Sequence, residues 1–529
     1  MTERLLANWL TNINERMLQI PYCQLLISMG HKILYISPHN LLEDGKDIIT
    51  INPTGKYEAF QLKNGDITLP SWRNIEGEIR DLLTVPIQHS KITKGKSHIS
   101  TLVVNGQIKD PVRTRIKALN DSNWGQQKKT KLETQTNNEL IIDFKKYYGD
   151  FFPSEPQNFN LFLELYLTNG REMFPKEKYS EFIISVLELS SEKSKKTEIM
   201  ARISSAVIFT SYILTPWNRS KNHIAEIEAW VCLTSLIIAA AEKFSIGHTQ
   251  IAPTLELIEH AIESSFTNLM DELEQRQNLA EGDYATDTLV YGGRVAIVMG
   301  YLSAIYLYFH LKDGSCENEI AKRLNELKNK FSNDMKFIGE FTTPFFLAHL
   351  WHCEHQPKDD GIKQLSEIMK TLTDEVNCPQ PYGWPNPYYS FEESTRIIHG
   401  LLLEDKDTEN FIGKSYTLES IVLTLARRGH KNLLAQAWPD ISHIQFVEFI
   451  PNSKWEFCVW RAHKGELKSR FPEKTQSWNE LVKLSNQGDT SLLPNLLIQK
   501  PHLLLLQLLV FPHRISPRTT GFLDSLITK

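Results

Sequence analysis

The apolar residues of this chain change their period near residue 150, and that change limits the folds open to it. Before it, short apolar runs alternate with amphipathic stretches, as in α/β segments. After it, most segments repeat at the three-to-four spacing of helices. The junction, Phe151-Phe152-Pro153-Ser154-Glu155-Pro156, has the composition of a boundary. At 529 residues the chain exceeds one ordinary core, so two or three domains are expected. The reading is an α/β domain over residues 1–150, a helical domain over 151–376, and a second helical block over 377–529 with a regulatory or oligomerisation role. The loop Asn377–Ser390, rich in prolines and aromatics, separates the last two.

In the first part, helical periodicity covers Arg4–Ser28 with an interruption at Pro21. Strands are predicted at Ile33–Ile36, Asp47–Ile51, Tyr57–Leu62, Ser100–Val104 and Lys131–Thr134. Helices are predicted at Trp72–Leu83, from about Pro111, and at Glu139–Tyr148. Beyond the junction the helical segments include Phe159–Leu167, Ser180–Leu189, Ala229–Phe244, Leu255–Leu273, Val295–Leu311, Ile320–Phe331 and Lys363–Leu372. Near the end, Ile444–Ile450 and Trp455–Arg461 flank Pro451-Asn452-Ser453-Lys454 in the manner of a β-hairpin.

Charge divides at the same place. Residues 1–150 carry 20 Lys+Arg against 16 Asp+Glu, a balance of +4, and the rest carry 38 against 47, a balance of -9. A polyanion would therefore meet the front of the chain. Ten basic residues fall between Lys91 and Lys131, with only Asp110 and Asp121 opposing them. Lys91, Lys94, Lys96, Arg113, Arg115, Lys117, Lys128 and Lys129 are the candidate phosphate contacts, and a solvated basic face is the alternative. Trp124 is the one aromatic among them, which favours duplex contacts over base stacking. The six cysteines lie at least 25 positions apart, without a CxxC pair or a disulfide framework. The stretch MTERLLANWL has acidic and polar residues where a secretory signal would need an uninterrupted apolar run, so none is expected. The uncharged run Val295–Leu311 contains Gly300, Ser303, His310 and three tyrosines, as a buried helix would rather than a membrane span. A reduced, cytoplasmic protein without a membrane partner is the expectation.

The stretch with chemistry in it is Gly45-Lys46-Asp47-Ile48-Ile49-Thr50-Ile51, the turn Asn52-Pro53-Thr54-Gly55-Lys56, and Tyr57-Glu58-Ala59-Phe60-Gln61-Leu62-Lys63. Strand alternation puts Ala59, Gln61 and Lys63 on one face and Glu58, Phe60 and Leu62 on the other. Pairing of the two strands brings the Asp47 carboxylate towards Gln61 and Lys63. Phosphodiester hydrolysis needs such a group: oxygen ligands for Mg²⁺, and a lysine that positions water and offsets developing charge. Gln61 supplies only a neutral oxygen, so Asp47 must supply most of the negative charge. An Asp–Lys pair across a hairpin is also a common surface feature.

The order helix, three strands, helix, strand, helix, with Asp opening one strand and Gln-x-Lys ending the next, resembles the PD-(D/E)XK superfamily. Within it, the stretch is similar to Mrr-like restriction endonucleases and nuclease effectors of bacterial anti-phage defence. The resemblance covers about Leu5–Tyr148. It implies a restriction-endonuclease-like domain with a mixed central sheet, an Mg²⁺ or Mn²⁺ cofactor, and DNA as substrate. It makes Asp47, Gln61 and Lys63 catalytic, with Asp47 and Gln61 as metal ligands. Thr101–Gly106 is similar to the later strand of such domains, which ends in a polar-Gly pair. The family usually adds a Glu from its first helix. Glu15 is the acid in the main part of that helix, and Gln24 stands nearer Gly30 without charge.

Trp351-His352-Cys353-Glu354-His355 gathers several metal-ligand types, but the partners of a zinc site are not apparent nearby and a plain helix end is preferred. Tyr291-Gly292-Gly293-Arg294 reads as a turn before a helix, and the aromatic cluster Tyr382–Tyr389 as core filling. The overall expectation is an Mg-dependent endodeoxyribonuclease, the nuclease effector of a defence system, controlled by the helical region. A homo-oligomer or partner defence subunits are implied. The competing reading is a catalytically weak, nuclease-like DNA-binding scaffold.

Overall fold

The computed structural model describes residues 2–37, 45–87, 97–121, 131–148, 156–192, 194–279, 287–331, 335–355, 361–374, 383–400, 412–461 and 465–528. The chain divides into two compact units, Met1–Ser265 and Phe266–Lys529.

The first unit opens with helices α1 (Thr2–Asn12) and α2 (Glu15–Ser28). The break in helical periodicity lies at Asn14 and not at Pro21, which sits inside α2. The Asn14 side chain accepts a hydrogen bond from Met17 N and caps α2. Pro21 costs the helix one backbone donor, and its buried ring packs instead.

Five strands follow: β1 (Lys32–Ile36), β2 (Ile48–Ile51), β3 (Tyr57–Lys63), β4 (His98–Val104) and β5 (Leu132–Gln135). They form a mixed sheet in sequence order. β1, β2 and β3 are antiparallel, while β4 runs parallel to β3 and β5 parallel to β4. The parallel pairings need crossovers, and helices α3 (Leu69–Thr84) and α4 (Asp110–Asp121) lie on them. Helix α5 (Asn137–Tyr148) follows β5.

Trp72, Ile79, Leu82 and Leu83 of α3 form one core with Ala59, Leu102, Val104 and, from α4, Val112 and Ile116. Burying each such large side chain contributes about 1.5–3 kcal/mol, so this stripe fixes how α3 is rotated over the sheet. On the other face, Phe60 meets Tyr22 of α2 edge to face, ring centres 5.6 Å apart. The helices after residue 156 belong to the same unit. Trp9 of α1 stacks on Tyr212 of helix α6 (Lys196–Ile213) at 4.9 Å, and Gln24 Nε2 donates to Ser204 Oγ at 3.0 Å.

The second unit is mainly helical. Helices α7 (Thr288–Asp313), α8 (Asn318–Phe331) and α9 (Thr343–Cys353) pack together, with Tyr301 and Phe345 5.5 Å apart across α7 and α9. Asp287 caps α7, so Tyr291–Arg294 lies within the helix rather than in a turn before it. Lys196–Arg219, His223–Lys243 and α7 are long and apolar enough to cross a membrane by length and composition, and their most apolar stretches are 83%, 94% and 78% buried within the protein.

A small sheet in the second unit has the order β6 (Lys414–Ser415), β7 (Gln445–Pro451), β8 (Gly465–Arg470). β7 and β8 are antiparallel and β6 is parallel to β7. The expected second hairpin strand, Trp455–Arg461, is instead a helical turn at Lys454–Phe457 with turns after it. The carbonyls of Glu456, Phe457 and Val459 accept from the buried Arg514 guanidinium at 2.7–3.0 Å, so they do not enter a strand ladder. The described part of the aromatic loop fills core: Trp384 lies 5.1 Å from Phe337 and Tyr388 stacks on His513 at 5.0 Å.

Candidate active site

β3 alternates as its sequence requires. Ala59 points into the α3 core, and Gln61 and Lys63 follow it on the same face towards the open end of the sheet. The segment before β2 is pressed against α3 at that end. Gly45 has a φ of +69°, and a Cβ there would lie 2.2 Å from the Glu78 carbonyl oxygen, so only glycine permits this approach. Lys46 Nζ reaches the Asp81 carbonyl at 3.3 Å. Asp47 N donates to Phe60 O at 2.9 Å, and Asp47 Oδ2 accepts from Leu62 N at 2.6 Å. The carboxylate thus continues the β2–β3 ladder by one residue and is 3% exposed.

Asn105 and Gly106 build the other wall. A Cβ on Gly106 would sit 2.3 Å from the Gly65 carbonyl carbon, so the ends of β3 and β4 close in only because that position is bare. The fully buried Asn105 accepts from Gly65 N at 2.6 Å and donates to the carbonyls of Leu10 and Ile13 at 2.9 and 2.7 Å. It therefore ties the α1–α2 break to the end of β3. Two residues beyond Ile13, Glu15 opens α2 and lands beside Lys63.

Lys63 is the hub. Its ammonium lies 2.9 Å from Glu78 Oε2 and 3.3 Å from Glu15 Oε2, and Glu15 Oε1 accepts from Asn64 N at 3.3 Å. Burial alone would lower the lysine's pKa. The hydrogen bond to Glu78 and the charges of Glu15, Glu78 and Asp47 outweigh it and hold the ammonium above its usual range. The lysine side chain is 12% exposed, whereas Glu15 and Glu78 are 36% and 48% exposed, so solvent reaches the centre from the carboxylate side. Gln61 is 4% exposed; its Nε2 lies 3.4 Å from Glu78 Oε2, and its Oε1 is buried without a hydrogen-bond partner.

Asp47, Gln61, Lys63 and Glu15 therefore gather at one end of the sheet, whereas Gln24 turns to Ser204 on α6. Among the described residues no three His, Cys, Asp or Glu side chains close on a common point as metal ligands. A hard cation here would have to draw on the Gln61 amide oxygen as well, and a buried acceptor lacking a donor is suited to that. The residue missed in the sequence is Glu78. Its signal was its position at the border of the α3 apolar stripe, next to Ile79.

Arg113, Arg115 and Lys117 are exposed on α4, with Arg113 Nε also donating to Ile108 O at 2.9 Å. Lys91, Lys94, Lys96, Lys128 and Lys129 lie outside the described residues. In the second unit, His352 closes α9 fully buried against Lys328 Nζ, and His349 Nε2 lies 3.5 Å from Cys353 Sγ. No family model matches the chain, and no curated protein or solved structure matches it significantly.

Proposed function

We propose that the Met1–Ser265 unit hydrolyses DNA phosphodiester bonds with a bound Mg²⁺ or Mn²⁺. The observation that carries this reading is the meeting of Asp47, Gln61, Lys63 and Glu15 at one solvent-reachable end of the sheet, with Gln61 Oε1 lacking a partner. Asp47, Gln61 and Glu15 are the residues that would hold the cation. When bound, such an ion lowers the pKa of water and neutralises phosphate charge. Lys63 orients the attacking water and offsets the charge that builds on the phosphate oxygens. The exposed basic face of α4 meets the DNA backbone.

The likeness of residues 5–148 to Mrr-like nucleases makes a defence effector the biological setting. The mainly helical Phe266–Lys529 unit then controls the nuclease or assembles two centres for double-strand cutting.

The test is cleavage of supercoiled plasmid by the full chain. Mg²⁺ should support it, and EDTA, Asp47→Ala or Lys63→Ala should each stop it. Glu58→Ala should cut normally, since Glu58 faces away and accepts from Asn52 Nδ2 at 2.7 Å. Full activity in Lys63→Ala overturns the assignment. Salt-sensitive DNA binding without any cleavage would leave the weak DNA-binding scaffold. In the same assay, equal rates per active centre for residues 1–265 and the full chain would remove the control role from Phe266–Lys529.

A further inference from the structure

Gln61 leaves a proposed cation centre one negative charge short, and the fold brings that charge from an element outside the strand pair. Glu78 projects from α3 and touches both functional side chains of β3, Gln61 Nε2 at 3.4 Å and Lys63 Nζ at 2.9 Å. Glu15 also reaches Lys63, at 3.3 Å, and accepts from Asn64 N with its other oxygen. The helix carrying Glu78 is not free to drift. Gly45, two residues before Asp47, packs its backbone against the Glu78 carbonyl, and Ile79 beside it is fully buried. Asp47 and Glu78 are therefore placed on one rigid wall.

A second, independent feature points the same way. Gln61 is only 4% exposed, its Nε2 donates to Glu78, and the Oε1 of the same amide has no partner. A buried carbonyl oxygen left without a donor is costly unless something fills the position. Glu15 and Glu78 both lie within 3.3 Å of the one Lys63 ammonium, and the Asp47 charge adds to their field there, an excess of negative charge that a divalent cation would relieve.

We propose, resting on the nuclease reading, that Glu78 is a ligand of the divalent cation and replaces the carboxylate that Gln61 lacks. Without metal, Glu78 is satisfied by the Lys63 ammonium. A cation held there by Asp47, Gln61 and Glu78 would draw Glu78 off the Lys63 ammonium, which would keep Glu15 and could then face the scissile phosphate. Loading of the centre and release of the lysine from Glu78 would then be one event.

The experiment is Mn²⁺ binding to the full chain without DNA, followed by loss of the free-ion electron paramagnetic resonance signal. Glu78→Gln should weaken binding about tenfold or more, Glu78→Asp less, and Glu58→Gln not at all. Thermal unfolding of each variant checks that the fold is kept, and the half-exposed Glu78 contributes little packing to it. Wild-type affinity in Glu78→Gln, or no Mn²⁺ binding by the wild-type chain, overturns the proposal. Loss of cleavage in Asp47→Ala and Lys63→Ala with unchanged Mn²⁺ binding in Glu78→Gln would sink this inference alone. Glu78-dependent Mn²⁺ binding in a chain that never cuts DNA would sink the nuclease reading and leave Glu78 as a ligand.

Discussion

Lys63 in the first unit and Lys328 in the second are both enclosed lysines, and their surroundings treat them in opposite ways. Lys63 sits among Glu15, Glu78 and Asp47, which keep it charged at an end of the sheet open to solvent. Lys328 sits against His352, and burial pulls it down to about 8. Burial also pushes His349 down to about 3 and His352 to about 2, with the Lys328 charge adding to both. A shifted pKa alone therefore does not mark a reactive site. The Lys63 centre combines retained charge, access and an unsatisfied oxygen; the Lys328 centre is closed in a core that keeps its histidines neutral.

The largest expected effect separates the two lysines. Lys63→Ala should lower plasmid cleavage about 10²–10³-fold or more while barely moving the unfolding midpoint. Lys328→Ala should do the reverse, leaving cleavage per folded molecule intact and costing about 2–4 kcal/mol of stability, from lost packing and from stranding His352 Nδ1. Calorimetry and the cleavage assay on both variants decide it. A Lys328 variant that is as stable as wild type but inactive would reverse the comparison.

Acid should separate the units next. His349 and His352 have folded values far below the unfolded 6.5, so their contribution is complete above about pH 6.5 and is lost as pH falls towards 3. Each can cost up to about 1.4 kcal/mol per pH unit. Glu340 and Glu419, pushed up to about 7 by burial, work against them. Their contribution is complete below about 4.5 and is lost as pH rises through 7. The two pairs oppose each other between about 6.5 and 4.5, so the second unit should lose stability steeply only below about 4.5. Lys63, raised above its usual value, loses its contribution only at alkaline pH. Denaturant midpoints followed from pH 7 to 3.5 test this, and a second unit insensitive to acid below 4.5 would contradict the buried neutral histidines.

The smallest effect belongs to the α4 face. Reversing Arg113, Arg115 and Lys117 to Glu together should weaken DNA binding and reduce the slope of log affinity against log salt by up to about 3, near 0.9 for each phosphate no longer neutralised. Mn²⁺ binding should not change, because these residues meet phosphate and not the ion. Salt titrations that superimpose on wild type would move the DNA path elsewhere.

Period and turn chemistry alone determined much of the first unit. The β2–β3 pair, the turn between them, α3, β4 and α5 follow from local spacing. So does the shared face of Gln61 and Lys63, because a strand has a period of two whatever surrounds it. Helices such as α7 and α8 were legible for the same reason at a period of 3.6. The tertiary structure decided which side chains from other elements arrive. Glu78 reaches Lys63 because burial of Trp72, Ile79, Leu82 and Leu83 sets the rotation of α3, and that burial outweighs any exposed ion pair, worth about 0–1 kcal/mol. Glu15 reaches it because Asn105, ninety residues later, ties down the break after α1. The lost hairpin strand has the same kind of cause: Arg514, remote in sequence, takes the carbonyls of Glu456, Phe457 and Val459. Local spacing fixes which face a residue occupies, whereas the meeting of distant segments depends on how buried surfaces fit, and no window of neighbouring residues contains that information.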